Sequence, residues 1–131
     1  MNKLVENIKF HISALEKVNS ITLEIIQSIN DRDTHSVISK IQNRDRLINI
    51  VFQFHRTIEE QIQENVPKTQ EQVELCRSWA SDVSNWSIDQ TKHNTVIEQF
   101  LISEREATSK EIASIFDKKS RHKGYDLSCL K

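Results

Sequence analysis

The chain has 131 residues, a formal charge of -1 from 18 basic and 19 acidic side chains, and only 37% hydrophobic residues against 28% charged. Balanced charge offers no global attraction to nucleic acid or an anionic membrane, which leaves a protein or a small molecule as the expected partner. One glycine, Gly124, and one proline, Pro67, supply almost no punctuation for tight turns, so a few long helices and an all-α fold with a narrow core are expected.

Cys76 and Cys129 share neither metal nor redox spacing, which points to a reducing compartment. Met1 to Phe10 interleaves polar and charged residues with apolar ones, so no signal-peptide core is expected and the cytoplasm is the expected location. The densest apolar cluster, Leu47 to Phe54, is broken by Asn49 and Gln53 and falls far short of the ~20 residues a membrane span needs. No membrane insertion is expected.

In the first segment, Leu4, Ile8, His11, Leu15, Val18, Thr22, Ile25 and Ile29 alternate spacings of four and three, which predicts a helix over roughly 3–30. Ala14 and Ile21 widen its stripe on one flank, and Val5, Ile12 and Ile26 on the other, as expected of a helix that meets two neighbours. The polar run Asn30 to Ser36 ends it, with Asp33, Thr34 and Ser36 all able to cap a new helix.

The second segment carries Val37, Ile41, Arg44, Ile48, Val51, His55, Ile58 and Ile62 in the same rhythm, which predicts a helix over roughly 36–64. Pro67 biases Val66 out of the helical region and suits the first turn of the next helix. Each of these two helices should reach about 40 Å at ~1.5 Å per residue, long enough to pair as an antiparallel hairpin.

The third segment carries Val73, Cys76, Trp79, Val83 and Trp86, then a polar stretch over 87–94, then Val96, Ile97, Phe100, Leu101, Ala107, Ile112, Ile115 and Phe116 in what reads as a new phase. This predicts helices over roughly 69–86 and 95–123, with a bend or loop within 85–94. A single continuous helix is the alternative. A basic last turn and Gly124 form the stop signal, followed by a flexible tail over 124–131. The expected fold is one all-α domain over 1–131, an antiparallel bundle of three to four long helices.

No histidine pairing or HExxH motif appears among His11, His35, His55, His93 and His122, so no metal or cofactor is implied. His11 and His55 fall on apolar stripes, where a hydrogen-bonded core role is expected, and they are placed to face each other across the hairpin. His122 is followed directly by Lys123 and Gly124, a spacing that does not match the histidine phosphotransfer modules. Arg44 sits on a stripe, as the buried arginines of helical chorismate mutases do, but no matched anion pocket accompanies it; its guanidinium is expected to reach a carboxylate or water. No catalytic residue is assigned, and the chain is expected not to be an enzyme.

A third segment longer than its partners cannot bury its whole stripe. Trp86, Val96, Phe100, Leu101, Ile112 and Phe116 are therefore the candidate partner-binding residues, suited to an incoming amphipathic helix. A homodimer would use the same face.

The long first helix, the stretch Ile41-Gln42-Asn43-Arg44-Asp45-Arg46-Leu47-Ile48 in the second, and a late helix ending at Lys118 to Lys123 with Tyr125 behind it resemble the flagellar export chaperones of the FliT and FlgN type. That resemblance spans most of the chain. It implies a cytoplasmic type III export chaperone that holds the C-terminal amphipathic helix of a flagellar cap or hook-filament junction subunit until secretion. It also implies that Tyr125, the only tyrosine, docks at the export apparatus. The alternative is a structural coiled-coil oligomer or adaptor without an export role.

Overall fold

The computed structural model describes residues 2–122 and the side chains of residues 3–118. It contains α1 (Asn2–Asn30), α2 (Thr34–Glu64) and α3 (Gln70–His122), with no strand among the described residues. The chain divides after Ile97 into two units, the first holding α1, α2 and α3 up to Ile97, the second beginning at Glu98. No described helix is long and apolar enough to cross a membrane.

The turns are built from capping chemistry, as the shortage of glycine requires. At the end of α1, Asp33 N–H donates to the Ser28 carbonyl at 2.9 Å and Arg32 N–H to the Ile29 carbonyl at 3.0 Å. This is a Schellman closure, and Arg32 takes the left-handed position at φ 55° that glycine usually fills. Of the three candidate caps, Asp33 is the one used, its carboxylate accepting from Ser36 N–H at 3.1 Å. At α3, Thr69 Oγ1 accepts from Gln72 N–H at 3.2 Å while Gln72 Oε1 accepts from the Thr69 and Lys68 amides, a capping box. Pro67 lies ahead of this cap rather than in the first turn of α3, so its contribution is to stop α2.

Within the first unit α1 and α2 run antiparallel. Asn7 Nδ2 donates to Gln61 Oε1 at 3.0 Å towards one end, and the Ser28 and Ser36 hydroxyls lie 3.1 Å apart at the other. α3 runs parallel to α1, with His11 meeting Trp79, Leu15 meeting Trp86 and Thr22 meeting Gln90 at sequence offsets of 68, 71 and 68. Leu4, Ile8, Ile58 and Trp79 form one apolar cluster, and Ala14, Leu15, Val18 and Val51 a second, against which Val83 and Trp86 pack. Burying each such Leu, Ile or Val contributes ~1.5–3 kcal/mol.

α1 and α2 approach within 8 Å between Cα atoms, whereas α3 up to Ile97 approaches neither so closely. Tryptophan, glutamine and histidine side chains fill that interface, and interaxial distance follows the size of the side chains at the contact.

The break expected within 85–94 is absent, and α3 runs through it as one helix. The new phase expected from Val96 is absent as well. Gln72, Cys76, Trp79, Val83, Trp86, Gln90, His93, Ile97, Phe100 and Glu104 are buried or half-buried in unbroken four-three alternation. The stretch that looks polar therefore contributes two polar members, Gln90 and His93, to one continuous register. It holds no glycine or proline to end a helix; the Thr91 hydroxyl bonds back to the Ser87 carbonyl within it, and the Thr95 hydroxyl just beyond it to the Thr91 carbonyl.

Candidate functional site

Two polar layers interrupt the apolar core of the first unit. In one, Arg44 of α2 is almost fully buried. Its Nε donates to Thr22 Oγ1 at 2.9 Å and its Nη2 to Gln90 Oε1 at 2.8 Å. Thr22 spends its single hydroxyl proton on the Val18 carbonyl at 2.6 Å, which leaves its oxygen free to accept from Arg44. Gln90 in turn donates through Nε2 to Asn19 Oδ1 at 2.7 Å, so the amide is oriented from both ends. Burial pushes the guanidinium pKa down, and neighbouring Asp45 only partly opposes this. An arginine stays charged in proteins regardless, so this layer holds a cation on neutral oxygens.

The described bonds of Arg44 end on neutral oxygens, where a carboxylate was one of the expected partners. Both of its described bonds end on protein oxygens that join α2 to α1 and to α3, the arrangement of a polar layer that fixes helix register at some cost in stability. Gln90 and Asn19 were not singled out in the sequence. The available signal was spacing alone, because Gln90 follows Trp86 by four and precedes Ile97 by seven.

The second polar layer comprises His11 of α1, His55 of α2 and Trp79 of α3. Trp79 Nε1 donates to His11 Nδ1 at 3.0 Å. The His11 and His55 ring centroids lie 5.8 Å apart, the facing arrangement expected across the hairpin, and His55 lies 5.1 Å from Trp79. His11 Nε2 is buried without a hydrogen-bond partner. Burial, and secondarily the charge of His55, lower the His11 pKa; the Val51 carbonyl favours the protonated ring but does not reach hydrogen-bond geometry with Nε2. Burial also raises the Cys76 pKa, so this free thiol is held protonated and unreactive. Among the described residues, no three His, Cys, Asp or Glu side chains converge to hold a metal ion.

The candidate partner-binding residues separate into two groups. Trp86 belongs to the core of the first unit, packed in the second apolar cluster with its indole N–H on the Leu15 carbonyl at 3.2 Å. Phe100 is half-buried and keeps the spacing of the same register. Leu101, Ile112 and Phe116 are exposed, Phe116 at 74%, and with exposed Ile115 they fall in an arc of about 100° at 3.6 residues per turn. Exposed Val96 lies outside that arc. The second unit therefore carries an apolar stripe of Leu101, Ile112, Ile115 and Phe116, with Ile102 at its edge; from Ala107 to Lys118 every side chain is exposed. Tyr125 and the expected tail over 124–131 lie outside the described residues.

No family model, curated protein or solved structure matches this chain.

Proposed function

We propose that this chain is a non-enzymatic chaperone or adaptor that binds an amphipathic helix of another protein on the apolar stripe Leu101, Ile112, Ile115 and Phe116. The single observation that carries this reading is the exposure of that stripe along a helix, since apolar side chains at helical spacing on a solvated surface suit helix-in-groove recognition. Following the resemblance to the flagellar export chaperones, the partner is the C-terminal helix of a cap or hook-filament junction subunit held in the cytoplasm, and Tyr125 docks at the export apparatus.

Affinity capture from native cell extract, with wild type and Ile112→Asp in parallel, tests the reading. Retention of a flagellar subunit through its C-terminal helix by wild type alone is the expected result. Retention only of further copies of this chain would replace the chaperone with a coiled-coil oligomer.

A further inference from the structure

We infer that the His11–His55–Trp79 layer is a proton-operated latch, in which proton uptake by the His11 imidazole releases α3 from the α1–α2 hairpin. The bond from Trp79 Nε1–H requires a lone pair on His11 Nδ1, which places the ring proton on Nε2. A second proton, on Nδ1, sets N–H against N–H and removes the bond that ties α1 to α3 at this level. It also creates a cation in a fully buried site.

The Val51 carbonyl favours that charge, but burial outweighs it. From α2 it faces His55, whose Nδ1 lies 3.6 Å from Glu59 Oε1. The coulombic effect of His55 makes a charged His11 still less favourable. From α3 it faces the neutral Trp79 indole, and the nearby Cys76 thiol is held protonated by burial. With α3 seated, burial disfavours an imidazolium at His11.

α3 is the element that leaves, because α1 and α2 keep their close backbone approach and their shared apolar contacts without it. Up to Ile97, the described hydrogen bonds that hold α3 to the hairpin come from Trp79, Trp86 and Gln90. A proton bound only by the opened form favours that form by up to tenfold per pH unit below about 6.5.

The test is hydrogen exchange and imidazole NMR on the full chain from pH 8 to pH 4. The expected result is loss of amide protection along 76–97 of α3 before α1 and α2, at the pH where His11 becomes charged. His11→Gln, which keeps an acceptor for the indole but takes up no proton, should move that loss at least one pH unit lower. Retained α3 protection with a charged His11, or opening of His11→Gln at the wild-type pH, would overturn the inference. If His11→Gln does not fold at neutral pH, the wild-type titration decides alone, by whether His11 charging and α3 opening coincide.

Discussion

Arg44 of α2 and Gln90 of α3 share a 2.8 Å hydrogen bond inside a layer whose other members, Thr22 and Asn19, are uncharged like Gln90. Because a buried cation depends on every neutral acceptor it has, Gln90→Leu should cost ~2–3 kcal/mol by urea unfolding. Replacing both partners, as Arg44→Met with Gln90→Leu, removes the charge together with its acceptor and should recover most of that loss. A double-mutant cycle with additive losses would show that the bond carries no coupling.

The left-handed Arg32 makes a prediction of opposite sign. A side chain with a Cβ is strained at φ 55°, and glycine is not. Arg32→Gly should therefore raise stability by up to ~1 kcal/mol, read as a higher urea midpoint at unchanged slope. An equal or lower midpoint would mean that the freedom glycine adds to the unfolded chain offsets the relief of strain.

α1, α2, their antiparallel pairing and both turns were legible because each rests on local chemistry: four-three spacing on the two helices, a cap among Asp33, Thr34 and Ser36, Pro67 as a stop. The continuity of α3 was hidden by reading period from apolar residues alone. Gln90 and His93 occupy stripe positions as polar side chains, and the glutamine is acceptable there only because Arg44 and Asn19, 46 and 71 residues away, complete its hydrogen bonds. No local pattern contains that information. Trp86, a binding candidate because the third segment outruns its partners, packs in the first unit with its N–H on the Leu15 carbonyl, a contact 71 residues away that no local pattern contains.

Acid should weaken the fold through His11. Its native pKa lies below the ordinary 6.5, so the unfolded chain binds the proton first as pH falls. Stability is complete above about pH 6.5 and declines below it, by at most ~1.4 kcal/mol per pH unit for this one proton, until the native pKa is passed. Urea midpoints measured at pH 7.5 and 5.5 check the sign; a higher midpoint at pH 5.5 would contradict it. Trp79→Phe removes the indole donor and should lower stability at both values, by about 1–3 kcal/mol.

Ile112 and Trp86 provide the contrast that makes the binding proposal testable. Ile112 is 59% exposed, and substitutions at such surface positions usually stay within ~0.5 kcal/mol. Ile112→Asp should therefore keep the helical circular dichroism and urea midpoint of wild type while losing partner capture. Trp86→Asp places a charge in the second apolar cluster and removes the indole bond to the Leu15 carbonyl, so a loss of several kcal/mol is expected. Lost capture by the Trp86 variant would report only damage to the first unit. Lost capture by Ile112→Asp at wild-type stability would locate binding on the exposed stripe, and retained capture would remove that stripe from the proposed function.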